Sequence, residues 1–285
     1  MSAAADLPPA YEVGGPSAVG RDWRRFLHLT MTLAYHDWKL RFFGSVLGYL
    51  WSLLRPLMLF GILYLVFSHV IRIGSGVENY PVQLLVGVIM FTYFGDVAGG
   101  AVESLVESEG LVRKVAFPRL VIPLAVAMTA SFNLVLNLVT VGVFLAIAGV
   151  EPRPEWLLLP LPIALLVVFS AGTGMLLSAL FVPFRDVRPI WDVVQQALFY
   201  ATPIFYPIEA VVDRSDTLGT IVMCSPLALI VQSVRNLLLG PPTPAPNDVL
   251  GSTPMLLVPL GIIALVALLG YAVFTRMAPT VAERL

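Results

Sequence analysis

The chain has 285 residues, of which 58% are hydrophobic and 12% charged, with a mean hydropathy of +0.87 and a formal net charge of -1. Because soluble domains carry about 25% charged residues, this composition excludes an ordinary soluble domain and indicates a membrane protein with several spans. The near-neutral charge gives no reason to expect a nucleic-acid partner. The single cysteine, Cys224, excludes an internal disulfide.

The N-terminal region divides into two parts. Residues 1–20 are rich in Pro, Gly and Ala and lack the basic start and apolar core of a signal peptide, which predicts a disordered cytosolic tail. In residues 21–42, aromatic and aliphatic side chains recur near the helical period with basic residues between them. This pattern predicts an amphipathic helix on the inner membrane surface. An ordinary soluble helix is less favoured, because the sequence offers no soluble domain for packing.

Six stretches are long and apolar enough to cross a membrane, since a spanning helix needs about 20 mainly apolar residues. They are residues 46–71, 80–102, 120–150, 156–184, 189–208 and 256–275. Residues 217–234 are also uncharged, but Pro226 lies at their centre and breaks the helix by removing a backbone donor. This predicts a re-entrant helical hairpin at about 209–240, between spans five and six, covered by protein.

The predicted fold class is therefore an all-α membrane protein with six transmembrane helices, an N-terminal amphipathic interfacial helix and a re-entrant helical hairpin. The distribution of Lys and Arg predicts its orientation, because cytosolic segments collect basic residues. With the N-terminus inside and six spans, twelve of the 17 basic residues fall in cytosolic segments, four fall in outer segments, and Arg55 lies within the first apolar stretch. Both termini are therefore predicted to be cytosolic.

Sequence motifs of common catalytic sites are missing. No GxxxxGK[ST] phosphate loop occurs, so the chain is predicted not to hydrolyse ATP by that route. HExxH and GxSxG are missing too, and no catalytic residue or metal site is predicted. Asp96 and Asp192 lie within predicted spans, where a solvated helix end or a partner for a nearby arginine is favoured over a proton path.

Four ordered motifs resemble those of one family. The stretch "RFFGSVLGYLWSLLRP" (residues 41–56) is similar to the signature that opens the first span of ABC-2 type permeases, above all exporters of polysaccharides such as O-antigen, teichoic acid and galactan. Arg55 stands where that signature usually has a small or polar residue. Further similar segments are "FPRLVIPLA" (117–125), "FRDVRPI" (184–190) and "TPIFYP" (202–207). The resemblance covers residues 21–285 and implies a bacterial plasma (inner) membrane protein.

The resemblance implies one half of a transporter. Two copies of the chain would form the pore, and two copies of a separate ABC ATPase subunit would dock below and bind ATP and Mg²⁺, with no cofactor on this chain. The family's coupling helix, which rests on the ATPase, falls at about 104–116. Its assigned residues are Glu107, Glu109, Leu111, Val112, Arg113 and Lys114. Acidic residues first and basic residues last suit the helix dipole, although a generic charged cytosolic turn is the alternative.

The resemblance also implies a polysaccharide carried on a polyprenyl diphosphate. Aromatic faces can hold the C–H edges of sugar rings without strong hydrogen bonds. The candidate channel residues are Trp51, Phe91, Tyr93, Phe94, Phe199, Tyr200, Phe205 and Tyr206. An aromatic belt facing lipid is an equally weighted alternative. Arg41, Arg55 or the basic residues of the surface helix are the candidates for attracting the diphosphate, since the guanidinium matches phosphate geometry.

Three other functions stay open at this point. An ABC-2 permease for a small lipophilic drug or a lipid is the first alternative. A channel or a proton-coupled carrier is an alternative of a different class. An integral membrane enzyme comes last, because the sequence offers no catalytic constellation.

Overall fold

The computed structural model describes residues 22–42, 48, 50–73, 76–110 and 117–278. These ranges are helical with short connections and contain no strand, which confirms the all-α fold class. The helices are α1 (Trp23–Phe42), α2 (Leu50–Tyr64, continued by a π-helical turn over Leu65–Val70), α3 (Tyr80–Val102), α4 (Ser104–Glu107), α5 (Val121–Ile147), α6 (Pro160–Phe181, preceded by a 3-10 turn over Pro154–Leu158), α7 (Val187–Ala201), α8 (Glu209–Val212), α9 (Asp216–Met223), α10 (Pro226–Leu239), α11 (Pro246–Leu250) and α12 (Leu257–Met277, preceded by a 3-10 turn over Thr253–Leu256).

Five helical segments in the described ranges are long and apolar enough to cross a membrane. They are Leu50–Val70, Tyr80–Val102, Val121–Ile147, Pro154–Phe181 and Thr253–Met277. Each corresponds to one of the six predicted spans. The count becomes six if α9 and α10, which pass the same test together, form one bent span.

The helix predicted over 189–208 is shorter than expected, because α7 ends at Ala201. Its 15 residues reach about 22 Å, less than the roughly 30 Å of a hydrocarbon core. Thr202 has an extended backbone (φ -83, ψ 138) and precedes Pro203, and a residue before proline is disfavoured in the helical region. The prediction of one continuous helix was therefore wrong at its C-terminal end, where the chain continues through non-helical bends.

Pro226 divides the predicted hairpin, as expected. The axes of α9 and α10 differ by 98° across a break at Ser225, and Pro226 is the first residue of α10. Proline fits this position because the first helical N–H has no intrahelical partner. The re-entrant course of this pair in the membrane stays a prediction.

Helix α3 forms the centre of the molecule. Most of its residues are buried, and it contacts α2, α5, α6, α7 and α10. Helices α6 and α12 approach closely where Gly172 faces Ala267, since a Cβ on this glycine would lie 2.6 Å from the Ala267 Cα. Helices α2 and α12, by contrast, expose most of their apolar side chains. Such faces fit lipid or a neighbouring subunit.

Helix α1 packs against α5, which supplies the partner that the sequence alone did not reveal. Phe26 and Ala34 are buried on this face. The Thr129 hydroxyl donates to the Ala34 carbonyl at 3.1 Å, and the Trp38 indole N–H donates to the Asn133 Oδ1 at 2.9 Å. A helix is therefore present at the predicted place and is fixed to the bundle. Its position on the inner membrane surface stays a prediction.

Candidate functional site

A cavity of about 710 Å³ lies between the end of α1 and helices α2, α3 and α7. A smaller cavity of about 130 Å³ shares Arg41, Arg55 and Asp96 with it and extends towards α5. Together they are lined by Arg41, Trp51, Ser52, Arg55, Pro56, Leu59, Phe91, Thr92, Gly95, Asp96, Gly99, Gly100, Asn133, Asn137, Arg188, Asp192, Gln195 and Phe199. We call this combined space the arginine cavity.

Glycines on α3 allow α7 to form one wall of the arginine cavity. Gly95 and Gly99 lie one helical turn apart on the same face. A Cβ on Gly95 would lie 2.7 Å from the Gln195 Nε2, and a Cβ on Gly99 would lie 3.4 Å from the Gln195 Oε1. A larger residue at position 95 would therefore displace Gln195 and narrow the space between the two helices.

The lining of the arginine cavity carries three arginines and two aspartates, which leaves one net positive charge. Arg188 is held by its own protein partners: its Nη1 donates to the Gly99 carbonyl at 3.1 Å, and its Nε lies 3.3 Å from the Asp192 carboxylate. The expectation that Asp192 pairs with a nearby arginine is confirmed. Arg41 and Arg55 are exposed, and both lie close enough to Asp96 to interact with its charge.

Arg41 has a second acidic neighbour, Asp37, one turn earlier on α1. Burial raises the pKa of Asp37 above its ordinary value, and the charges of His36 and Arg41 act in the opposite direction. The positive charge of Arg41 is thus shared between Asp37 and Asp96. Arg55 exerts the larger electrostatic effect on Asp96.

Three of the predicted aromatic channel residues line the arginine cavity. Phe91 and Phe199 pack edge to face in its lining, with ring centroids 5.2 Å apart, and Phe91 is largely buried. Trp51 is exposed and lines the smaller part. Tyr200 is exposed beside Phe199 and lines an adjoining cavity of about 310 Å³.

The structure places two other predicted channel residues in the core. Phe94 is fully buried, stacks on Phe169 at 5.4 Å and meets Trp191 edge to face at 5.9 Å. Tyr93 is buried against α5, where its hydroxyl lies 3.1 Å from the Ser131 hydroxyl. Neither side chain lines the arginine cavity.

The remaining predicted aromatics lie in the bend after α7. Phe205 stacks on Phe67 of the π-helical turn at 4.6 Å and contacts Phe199 at 5.9 Å. The Tyr206 hydroxyl donates to the Ala201 carbonyl at 3.0 Å. These residues extend the aromatic surface from Phe91 away from the arginines and towards the start of α3.

Arg235 on α10 holds the same bend in place. Its side chain is fully buried, its Nε donates to the Gln83 carbonyl at 2.9 Å, and its Nη2 donates to the Ile204 carbonyl at 2.7 Å. The Tyr80 hydroxyl also donates to the Phe205 carbonyl at 2.7 Å. Non-helical backbone at membrane depth needs such partners inside the protein. From the sequence, Arg235 was predicted only to be one of the four basic residues in the outer segments.

The predicted coupling helix is described only at its beginning. Glu107 ends α4 and is exposed, and Glu109 is half-buried. Leu111, Val112, Arg113 and Lys114 lie outside the described residues, so the coupling helix stays a prediction. An ion pair connects the residue before α4 to α7, since the Arg188 Nη1 lies 3.6 Å from the Glu103 carboxylate. Arg188 was missed as a site residue, although its four-residue spacing from Asp192 signals an ion pair on one helix face.

Several membrane-length helices around a charged, aromatic-lined cavity define a multi-pass membrane protein suited to transport. Residues 28–239 match the family model described as ABC-2 type transporter. The chain therefore belongs to the ABC-2 type transporter family, which confirms the family recognised from its motifs.

Curated relatives agree with this assignment. The chain is 30% identical over 213 residues to an O-antigen export system permease protein RfbA of Klebsiella pneumoniae, covering 74% of this chain and 80% of that protein. It is 30% identical over 195 residues to the protein of the same name in Myxococcus xanthus, covering 68% and 74%. It is 26% identical over 173 residues to the polysialic acid transport protein KpsM of Escherichia coli, covering 60% and 67%.

Proposed function

We propose that this chain is the transmembrane permease subunit of an ATP-driven ABC exporter. It moves a polysaccharide linked to a polyprenyl diphosphate from the cytosol to the outer face of a bacterial plasma membrane. Two copies of the chain form the pore, and two copies of a separate ATPase subunit bind ATP and Mg²⁺. The observation that carries the proposal is the meeting of Arg41 and Arg55 with Phe91 and Phe199 in one cavity.

The two kinds of side chain suit the two parts of such a substrate. The guanidinium groups of Arg41 and Arg55 can form paired hydrogen bonds with phosphate oxygens. The rings of Phe199 and the exposed Trp51 offer apolar faces for sugar rings, with no strong hydrogen bonds to break during passage, and the buried Phe91 packs behind Phe199. The names of the relatives, which refer to O-antigen and polysialic acid, support a polysaccharide substrate.

Pairing of two copies fits the exposed face beside the arginine cavity. Helix α7 exposes Ile190, Val193 and Tyr200, and α2 exposes Met58 and other apolar residues. A second copy against α2 and α7 would enclose the arginine cavity and remove it from lipid. The pore would then open between the two pairs of these helices when ATP closes the ATPase dimer.

A permease for a small lipophilic drug or a lipid is the alternative within the same family. The three arginines and two aspartates of the arginine cavity disfavour an apolar cargo, because charges within a membrane protein are expensive unless they serve a function. A proton-coupled carrier is disfavoured by the pairing of Asp192 with Arg188.

The experiment tests the partner and the cargo together. The double change Leu111→Asp with Val112→Asp should abolish co-purification with the proposed ATPase subunit and stop surface display of the polysaccharide, because apolar anchors dominate such interfaces. The control is the amount of the variant that inserts in the membrane, which should match that of the wild type. Normal co-purification and display in this variant would contradict the proposed coupling helix, and normal display in cells that lack the chain would contradict the export function.

A further inference from the structure

We infer that Asp96 is a resident counter-ion of the arginine cavity, which competes with the substrate's diphosphate for Arg41 and Arg55 and so permits release of the cargo. The inference rests on the proposed function. It assigns a specificity-determining role to a residue that sequence analysis interpreted as a helix end or an arginine partner.

Asp96 and the two arginines come from different helices that line the arginine cavity. Asp96 belongs to α3, the most buried helix, whereas Arg55 belongs to the exposed helix α2 and Arg41 ends α1. All three line both parts of the arginine cavity. A phosphate group that reached the two guanidinium groups would therefore also approach the Asp96 carboxylate.

The charges make this approach unfavourable. A diphosphate diester carries two negative charges at neutral pH, which two arginines can balance. A third negative charge in the same partly desolvated space repels the ligand, because charges interact more strongly there than in water. Asp96 therefore lowers the affinity for the diphosphate, and it compensates Arg55 and Arg41 again when the cargo leaves.

The second acidic residue of the arginine cavity provides the contrast. Asp192 lies 3.3 Å from the Arg188 Nε, and Arg188 is held further by the Gly99 carbonyl and by Glu103. Asp192 therefore has a cation partner on its own helix, whereas the arginines that share both parts of the cavity with Asp96 are Arg41 and Arg55. Removing this carboxylate should therefore affect a bound diphosphate less than removing that of Asp96.

An exporter needs such a device because it must release what it binds. Without the carboxylate, the arginines would hold the diphosphate more tightly and the transport cycle would stall. Asp96→Asn should therefore raise affinity and lower the export rate. Loss of a merely structural residue would lower both or leave the affinity unchanged.

The test uses the complete complex of permease and ATPase in lipid nanodiscs, with farnesyl diphosphate, inorganic pyrophosphate and farnesol as probes. Asp96→Asn should bind farnesyl diphosphate about tenfold more tightly than the wild type, and Asp192→Asn less than threefold more tightly. Farnesol affinity should not change. Tighter binding of both farnesyl diphosphate and pyrophosphate would show that free phosphate groups suffice. Tighter binding of farnesyl diphosphate without a change for pyrophosphate would show that the lipid chain is required. Both results support the inference.

A second variant moves the carboxylate. Thr92 lies one turn before Asp96 on α3 and lines the same cavity. Thr92→Asp should weaken farnesyl diphosphate binding about tenfold, and the double change Thr92→Asp with Asp96→Asn should restore it to near the wild-type value. These paired changes keep the test decisive if Asp96→Asn alone fails to assemble.

Two results would overturn the inference in different ways. If the wild type prefers farnesyl diphosphate to farnesol but neither Asp96→Asn nor Thr92→Asp changes that affinity, Asp96 is no counter-ion and the proposed function still stands. If the wild type binds farnesyl diphosphate no better than farnesol, the arginine cavity is no diphosphate site, and the inference fails together with that part of the proposed function.

Discussion

The molecule contains two sites whose arginines use their hydrogen-bond donors differently. We call Arg235 the closed site and the pair Arg41 and Arg55 the open site. Arg235 is fully buried and donates to the backbone carbonyls of Gln83 and Ile204. Arg41 and Arg55 are exposed and line a cavity of about 710 Å³, in which Asp96 lies close enough to interact with both charges. At the closed site the guanidinium group is bonded to protein carbonyls, whereas at the open site the guanidinium groups are accessible to a ligand.

The difference separates a cation that holds the fold from cations that can bind cargo. The non-helical bend after α7 has carbonyls that no helix satisfies, and Arg235 supplies a buried donor for one of them, that of Ile204. Arg41 and Arg55 are exposed, and we propose that they donate to the phosphate oxygens of the cargo. Changes at the closed site should therefore reduce stability, and changes at the open site should reduce transport.

The largest expected effect is at the closed site. Arg235→Met removes the donors to Gln83 and Ile204 and leaves a buried network broken, which should lower the free energy of unfolding by about 3–5 kcal/mol. The measurement is resistance to unfolding in a mild detergent titrated with a denaturing one. Arg235→Lys, which keeps the charge but not the planar fork, should give an intermediate loss. Wild-type stability of the Met variant would show that the bend does not depend on this residue.

The close contact of α6 and α12 lies between two helices that both contact α10, the helix of Arg235. A change at this contact tests the packing without altering any charge. Gly172→Ala places a Cβ 2.6 Å from the Ala267 Cα, and overpacking of this kind should cost about 1–3 kcal/mol of stability. The matched control is Gly261→Ala on α12, where no atom lies within 4 Å of the added Cβ. Equal stability of the two variants would contradict the packing described for these helices.

At the open site, Arg55→Gln should reduce export by about tenfold and leave the free energy of unfolding within ~0.5 kcal/mol of wild type. The physical reason is that an exposed side chain adds little to the fold, whereas a lost charge-assisted hydrogen bond to phosphate weakens cargo binding. Export is measured as polysaccharide on the cell surface at equal amounts of inserted protein. A loss of stability large enough to explain the loss of export would contradict the claim that Arg55 acts in cargo binding and not in the stability of the fold.

The smallest effect is expected at the two tyrosines beside the bend after α7, Tyr206 and Tyr80. Tyr206→Phe removes a hydrogen bond to the Ala201 carbonyl from a partly exposed hydroxyl, which should cost at most about 1 kcal/mol. Tyr80→Phe removes a bond of 2.7 Å to the Phe205 carbonyl from a buried residue, so its cost should be larger. Unfolding titrations of the two variants measure which one loses more stability. A larger loss for Tyr206→Phe would contradict the description of Tyr80 as the more buried of the two residues.

Much of the fold follows from local sequence patterns. Uninterrupted apolar stretches predict the five membrane-length helices, and Pro226 predicts the break between α9 and α10. The early end of α7 was missed because residues 189–208 have the composition of a span, although the Thr202–Pro203 pair carries the signal for a helix end.

The candidate site was only partly predictable, because its residues come from five separate helices. Arg41 and Arg55 were chosen for their charge and position, and the structure brings them together with Phe91 and Phe199. Burial of Phe94 and Tyr93 depends on which face of α3 meets α5 and α7, and a helix that is apolar on all sides gives no signal for this. The role of Arg235 depends on carbonyls that lie 31 and 152 residues away in the sequence.

The central claim is that Arg41 and Arg55 hold the diphosphate of the cargo. The most direct measurement is the position of the lipid-linked polysaccharide in cells that carry Arg41→Gln with Arg55→Gln, compared with cells that carry Arg214→Gln, a change at an exposed arginine distant from the cavity in sequence. The account predicts that the double variant inserts normally and accumulates the lipid-linked chain on the cytosolic side, while the control exports it. Export at the wild-type rate by the double variant would contradict the account.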